Sequence, residues 1–273
     1  MELARFSRAM QAEIAALERR GGEAPGPWPL PRPSFAEALR RPCAGPLPVI
    51  AEFKRASPSR GLICGSLDPE EAARQYAVNG ASALSVLTEE TWFQGHVSHL
   101  ARIAAMMEAE RIPPLPMLRK DFLFHPLQVE ATLATPASAM LLIVRLAPDA
   151  RLLRDLREQA ERGGMQAVVE VFSTGEAEIA RESGARIIQV NARDLETLRV
   201  DVAASLRFIE AFPPQGGDLW IAASGMACHA DLVAAADAGY HAALVGSALM
   251  EGGRPGAALR RMIRGGDDEE GPC

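Results

Sequence analysis

Short apolar runs alternate with helical stretches through most of the chain, and this alternation constrains the fold more than any other feature of its 273 residues. Most of the runs are apolar on both faces, as strands of a parallel sheet covered by helices must be. The runs that we interpret as strands are Val49–Phe53, Ala83–Leu87, Leu115–Leu118, Ala139–Val144, Ala167–Val171, Ile187–Val190, Leu219–Ala222 and Ala242–Val245. The segments between them predict helices at Pro69–Asn79, Val97–Glu110, Pro126–Thr135, Asp149–Arg162, Thr174–Ser183, Asp201–Ala211, Ala230–Ala238 and Pro255–Ile263.

Eight strand–helix alternations over roughly 220 residues are what a (β/α)8 TIM barrel requires. The competing architecture, an open doubly wound sheet, usually carries a glycine-rich dinucleotide-binding turn after its first strand. The sequence at that place is Lys54–Ser59, which has no glycine. We therefore expect an α/β fold with a single (β/α)8 TIM barrel over residues 47–263.

The segments on either side of the predicted barrel differ from it in composition. Residues 1–46 predict an N-terminal helical extension, with one helix over Ala4–Arg19, a connector rich in glycine and proline, and a short helix over Phe35–Arg40. Residues 264–273 are acidic and contain glycine, which is typical of a flexible, solvated tail.

Composition and charge argue against several functional classes. The formal net charge of −6 is unfavourable for a general nucleic-acid binder. No apolar run approaches the roughly 18 residues that a membrane-spanning helix needs. The N-terminus lacks the pattern of a secretory signal, so we expect a cytoplasmic protein. We also expect either a monomer or a weak homodimer. The histidines and cysteines are scattered, and we expect no metal site.

Charged residues interrupt the apolar runs near the carboxyl ends of the predicted strands, where the reactive side chains of a barrel cluster. Glu52 and Lys54 lie two residues apart and so share one face of the first strand, and Glu170 lies inside an apolar run. Lys120 follows the third strand. A buried ion-pair network that only stabilises the barrel is one interpretation. We favour the other, acid–base chemistry on an anionic substrate.

Two dipeptides that contain glycine predict a phosphate site. Ser224–Gly225 follows the seventh predicted strand, and Gly246–Ser247 follows the eighth. Barrels commonly bind phosphate at this place through backbone N–H groups. Either dipeptide alone could be only a turn, but their occurrence after consecutive strands favours a phosphorylated ligand.

At these residues the chain resembles the indole-3-glycerol phosphate synthase family. The resemblance covers residues 34–263, and the N-terminal helical extension is also typical of the family. The segments that carry it are Ile50–Gly61, Leu84–Glu89, Phe93–Gly95, Leu118–Phe122, Val169–Val171, Asn191–Leu195, Ser224–Gly225 and Leu244–Met250.

The resemblance implies a lyase of tryptophan biosynthesis that needs no cofactor. Its substrate would be a small phosphorylated anthranilate–sugar compound, 1-(2-carboxyphenylamino)-1-deoxyribulose 5-phosphate. The products would be indole-3-glycerol phosphate, CO₂ and water. Neither nucleic acid nor a membrane would be a partner.

The resemblance also implies roles for individual residues. Lys120 would be the principal general acid, Lys54 would bind the substrate carboxylate or act as a second acid, and Glu170 would be the general base of the dehydration. Glu52 and Asn191 would orient the lysines and a sugar hydroxyl. The implied substrate-binding residues are Glu89 and Arg193 in a polar network, Ser57, Ser224, Gly225, Gly246 and Ser247 around the phosphate, and Phe93, Phe122, Leu141 and Leu195 around the aromatic ring.

One departure from the family pattern affects the expected site. The family usually has Glu-Ser-Gly after the seventh strand, whereas this chain has Ala223 before Ser224 and Gly225. The loss of a carboxylate leaves two alternatives open. The chain could be a divergent paralogue that acts on a modified anthranilate-derived substrate, or a catalytically weak barrel that binds a phosphate ligand.

Overall fold

The structure is a computed structural model, which describes residues 2–19, 26–193 and 200–265. Within these residues, eight parallel strands close into a barrel, in which each strand pairs with its neighbours in sequence and the last pairs with the first. The strands are β1 Val49–Phe53, β2 Ala83–Leu87, β3 Met117–Leu123, β4 Ala139–Ile143, β5 Gln166–Val171, β6 Ile187–Asn191, β7 Leu219–Ala223 and β8 Ala242–Val245. The predicted (β/α)8 barrel is confirmed.

Helices follow the strands and cover the outside of the barrel. Two lie before it, α1 Glu2–Arg19 and α2 Phe35–Arg40. The others are α3 Pro69–Val78, α4 Ser98–Ala109, α5 Pro126–Leu133, α6 Ala150–Arg162, α7 Thr174–Glu182, α8 Val202–Ala211, α9 His229–Asp237, α10 Ser247–Met250 and α11 Pro255–Arg264. Short 3₁₀ helices occur at Val144–Leu146 and Glu251–Gly253. None of the helices in the described ranges is long and apolar enough to span a lipid bilayer.

Strand β3 differs most from its predicted bounds, because it starts two residues later and ends five residues later than the apolar run suggests. Proline has no N–H to donate to a strand ladder, and Pro116 delays the start of pairing to Met117. The strand continues through three charged residues because their side chains divide between its two faces. Lys120 faces the barrel cavity, whereas Arg119 and Asp121 form an ion pair 3.1 Å long.

The interior of the barrel is apolar at its amino end. Side chains such as Ile50, Leu118 and Val168 pack there in one cluster with Phe35 and Leu39 of α2. The helix is therefore a plug across the amino end of the barrel. Its first turn is fixed by Ser34, whose hydroxyl accepts a hydrogen bond from the N–H of Glu37. The polar side chains that face the barrel interior lie at its carboxyl end.

Helix α1 is fixed to the outside of β3 by a buried polar network. Its residue Glu13 accepts hydrogen bonds from Arg119 at 3.2 Å and from Gln128 at 2.9 Å. Arg119 also donates to Thr88 and Thr132. Its side chain is only 3% exposed, so this guanidinium depends on protein partners for nearly all of its hydrogen bonds. The network ties the N-terminal extension to the strand that carries Lys120.

Substitution Arg119→Met tests this network. We expect the free energy of unfolding to fall by about 3–5 kcal/mol, because removing one partner of a buried ion pair leaves Asp121 without its counter-charge. Arg102→Met is the matched control, because Arg102 is 43% exposed in its pair with Glu70 and should lose less than about 1 kcal/mol. Urea unfolding measures both variants, and equal losses would contradict the assignment.

Candidate active site

A cavity of about 470 Å³ opens at the carboxyl ends of the strands. It brings together nearly all of the residues that the sequence pointed to. The residues predicted from the sequence that line it are Glu52, Lys54, Ser57, Glu89, Phe93, Lys120, Phe122, Leu141, Glu170, Asn191, Arg193, Ser224, Gly225, Gly246 and Ser247. Leu195 lies outside the described residues.

An ion pair between Glu52 of β1 and Lys54, which directly follows the strand, lines the cavity. Lys54 Nζ lies 2.8 Å from Glu52 Oε1, and the Glu52 side chain is only 3% exposed. Burial alone would raise the pKa of the Glu52 carboxyl, but the charges of Lys54 and Lys120 outweigh it and hold that pKa below its usual range. Hydrogen bonds from Lys54 and Ser85 act in the same direction. Glu52 therefore stays ionised and is a counter-charge for both ammonium groups.

Gly246 makes room for this ion pair. A Cβ atom at that position would lie 2.3 Å from Glu52 Oε1 and 3.1 Å from Lys54 Nζ. Any side chain there would therefore displace the carboxylate from its lysine. The sequence suggested Gly246 as a phosphate-binding residue, and the geometry gives it this second role beside the ion pair.

Lys54 and Lys120 are the only lysines in the chain. The rest of its 29 Lys and Arg residues are arginines. A guanidinium keeps its proton at any ordinary pH, whereas an ammonium can release one. Both side-chain ammonium groups of the chain thus lie on one cavity.

Glu170, the one acidic residue of β5, lines the cavity, and its side chain is buried. Its partner is the neighbouring β6 residue Gln189, whose Nε2 donates a hydrogen bond to Glu170 Oε2. Further along β6, Asn191 Oδ1 accepts a hydrogen bond from the backbone N–H of Arg193 at 3.0 Å. Both contacts fix side chains at the carboxyl end of the barrel.

Glu89 supports a loop beside the cavity. Its carboxylate accepts hydrogen bonds from the backbone N–H groups of Thr91 and Trp92 at 2.8 Å and of Phe93 at 3.1 Å. These bonds shape the turn after β2 and place the Phe93 ring on the cavity. Glu89 therefore acts through the loop that it holds.

Three phenyl rings form an apolar wall of the cavity. The ring of Phe6 in α1 stacks on Phe122 with centroids 4.1 Å apart and planes 9° apart, and Phe93 lies 6.2 Å from Phe122. Sequence reasoning did not identify Phe6 as a site residue. Its spacing with Met10 and Ile14 is helical, but nothing in the sequence indicated that Phe6 reaches the cavity.

Two arginines and a strained turn lie at the polar part of the cavity. Burial lowers the pKa of the Arg193 guanidinium, and the nearby charge of Arg60 lowers it further, while Glu52 opposes the change. Arg60 also forms an ion pair with Glu251, and the two neighbouring positive charges favour a further anion between them. The turn after β7 has φ of 85° at Gly225, which glycine adopts freely, and φ of 67° at Ser224, where a residue with a side chain is strained. Strain of this kind is concentrated at functional sites. Arg60 is a further residue that the sequence reasoning did not assign.

Ala223 is buried on the cavity wall next to Asn191, its paired residue in the sheet. The sequence pattern of the family suggests a carboxylate at this point, and its place on the wall is taken by a methyl group.

Among the described residues, no cluster of three or more His, Cys, Asp or Glu side chains is arranged to hold a metal ion.

Solved structures share the fold at low sequence identity. A 3-hexulose-6-phosphate synthase aligns with a TM-score of 0.60 and 16% identity, over 80% of this chain and 98% of that one. A thiamine phosphate pyrophosphorylase from Pyrococcus furiosus aligns with a TM-score of 0.56 and 16% identity, over 80% of this chain and 95% of that one. These similarities concern the barrel fold alone.

Sequence comparison is more specific. The family model described as indole-3-glycerol phosphate synthase matches residues 6–262. Proteins of that name from Koribacter versatilis and Mycolicibacterium smegmatis are 39% and 40% identical, each over 94% of this chain and over 93% and 89% of their own lengths. The protein of that name from Carboxydothermus hydrogenoformans is 39% identical over 82% of both chains. The chain therefore belongs to the indole-3-glycerol phosphate synthase family.

Proposed function

We propose that the chain converts 1-(2-carboxyphenylamino)-1-deoxyribulose 5-phosphate into indole-3-glycerol phosphate, CO₂ and water, as a carbon–carbon lyase of tryptophan biosynthesis. The observation that carries the proposal is the convergence of Lys54, Lys120 and Glu170, with Glu52, on one cavity. The chain has two groups that can give a proton and a carboxylate that can take one, and the ring closure needs all three.

Binding would use three parts of the cavity. The aromatic ring of the substrate fits among Phe6, Phe93 and Phe122, where offset stacking and apolar burial are favourable. The ammonium of Lys54 would pair with the substrate carboxylate. The phosphate would bind at Arg60 and Arg193 and at the backbone and side-chain donors that the resemblance suggested, namely Ser57, Ser224, Gly225, Gly246 and Ser247.

Carbon–carbon bond formation would depend on Lys120. The ring carbon that bears the carboxylate attacks the ketone carbon, and the ketone oxygen takes the electron pair. A proton from the Lys120 ammonium neutralises that oxygen as its charge develops. Cleavage of the bond to the carboxylate then releases CO₂ and returns its electron pair to the ring, which is again aromatic.

Dehydration would complete the pyrrole ring. Loss of CO₂ frees Lys54 to protonate the departing hydroxyl, which leaves as water. Glu170 removes a proton from the carbon next to the nitrogen, and the electron pair of that C–H bond forms the new double bond. Lys120 and Lys54 each give one proton and Glu170 takes one, so one proton must come from solvent for each turnover. This balance matches the loss of a carboxylate as neutral CO₂.

Neither alternative from the sequence is favoured. The relatives reported above carry the synthase name, and the complete set of lysines and Glu170 argues against a barrel that only binds phosphate. We also propose a cytoplasmic location, because a phosphorylated substrate does not leave the compartment in which it is formed without a carrier.

Incubation of the chain with this substrate tests the proposed function. We expect indole fluorescence to appear together with one equivalent of CO₂. Binding of the substrate with no CO₂ release would contradict the proposal and favour the binding barrel. Faster conversion of a ring-substituted anthranilate derivative than of the natural substrate would contradict it in favour of the divergent paralogue.

Substitution of Lys120 by arginine and by methionine separates charge from proton transfer. Lys120→Arg keeps a positive charge that cannot give up its proton, so we expect both variants to lose about 10²–10⁴-fold in kcat. KM should change by less than the loss in kcat for Lys120→Arg. Steady-state fluorescence assays measure both constants. Near-normal kcat in Lys120→Arg would mean that the residue supplies only charge.

Substitution Gly246→Ala tests the room made for the ion pair. The added methyl group would push the Glu52 carboxylate away from Lys54, and we expect kcat/KM to fall by about 10- to 100-fold, equivalent to about 1.4–2.7 kcal/mol. Gly216→Ala is the control, because a Cβ atom there meets nothing within 4 Å and activity should be unchanged. Full activity in Gly246→Ala would show that the ion pair tolerates displacement.

A further inference from the structure

Gln189 is a fully buried amide on the interior face of β6, and it lines the cavity. The residue took no part in the roles implied by the family resemblance. A buried amide costs free energy unless both of its ends are hydrogen-bonded. The partners of each end therefore show what the side chain is suited to do.

The nitrogen end of the Gln189 amide is engaged by Glu170. Gln189 Nε2 donates to Glu170 Oε2, and the two residues are direct neighbours in the sheet. The carboxylate oxygen accepts and the NH₂ group donates, so the nitrogen of the amide faces Glu170 and its oxygen faces away. This orientation of the amide follows from the chemistry of its partner.

The oxygen end of the amide has no partner. Gln189 Oε1 is buried and accepts no hydrogen bond from the described residues. The other buried polar atoms without a partner in that part of the chain belong to residues that do not line the cavity. An acceptor without a donor is therefore a specific feature of the cavity wall, and a bound ligand with a hydroxyl group would satisfy it.

The position of Gln189 relates it to the missing carboxylate. Gln189 pairs with Ile221, and the next inward-facing pair is Asn191 with Ala223. Gln189 and Ala223 are thus diagonal neighbours on the interior face, a separation that a long side chain can bridge. Where the family pattern has a carboxylate reaching into the cavity from position 223, this chain has a methyl group with an amide beside it.

We propose that Gln189 is a positioning residue for Glu170 and takes over the polar function of the missing carboxylate at position 223. The inference rests on the proposed function. The Gln189 amide holds Glu170 through its nitrogen and accepts a hydrogen bond from a hydroxyl of the substrate's ribulose chain through its oxygen. This bridge fixes the carboxylate relative to the carbon that loses its proton.

Gln189→Met removes both hydrogen bonds at nearly constant volume. We expect kcat to fall by about 10- to 100-fold, because a hydrogen bond to a charged group is lost. Inhibition by inorganic phosphate should stay within twofold, since Arg60 and Arg193 are untouched. Gln166→Met, at the amino end of the barrel, is the control and should keep its kcat. Loss of kcat below twofold in Gln189→Met would overturn the inference.

A double-mutant cycle with position 223 tests the replacement itself. In the unmodified background, Ala223→Glu should lower kcat/KM at least fivefold. The new carboxylate would add a negative charge near Glu170 and compete with the Gln189 amide for the same space. In the Gln189→Ala background the same substitution should raise kcat/KM at least fivefold. An equal effect in both backgrounds would overturn the inference.

The proposed function and the role of Gln189 can be told apart by their outcomes. If the unmodified chain forms no indole product, the proposed function fails and the role of Gln189 fails with it. If the unmodified chain is active and the variants at position 189 behave like the Gln166→Met control, only the role of Gln189 fails. Melting curves of each variant ensure that a loss of kcat is read on folded protein.

Discussion

The ion pair between Glu52 and Lys54 is the interaction on which the rest of the site depends. Removing two such charges from water costs several kcal/mol for each ion unless their partners are well placed. The chain meets this requirement with a hydroxyl from Ser85, a second ammonium from Lys120 and a neighbour, Gly246, that has no side chain. Both lysines of the cavity are thus arranged around the Glu52 carboxylate.

The two N-terminal helices contact opposite ends of the barrel. Helix α2 closes the amino end with Phe35 and Leu39, so that end is packed and apolar. Helix α1 reaches the other end, where Phe6 forms part of the cavity wall and Glu13 binds the arginine next to Lys120. The extension is therefore part of the site, although it precedes the barrel in sequence.

Most of the fold followed from periodicity, because each strand is short, apolar and bounded by turn residues. The exception, β3, is informative. The charged residues Arg119 and Asp121 interrupt the apolar run, so the run alone did not predict the second half of the strand. They pair with each other only in the folded strand. The site residues at strand ends were also predictable, since Glu52, Lys54 and Glu170 are charges in segments that should be dry.

What the sequence could not give was contact between distant elements. Nothing in the spacing of α1 indicates that Phe6 stacks on Phe122. Gln189 looked like an ordinary residue of an apolar run, and its meaning depends on the neighbours that the barrel places beside it, Glu170 and Ala223. Both are consequences of strand register and helix docking, which the linear pattern does not encode.

NMR of protein labelled with ¹³C at the lysine Cε position tests most directly whether both ammonium groups serve one ligand. The chain contains two lysines, so the spectrum should hold two side-chain signals, assigned with Lys54→Met and Lys120→Met. Addition of indole-3-glycerol phosphate should shift both signals with the same dependence on ligand concentration. A ligand that binds and moves only one of them, or neither, would contradict a shared site.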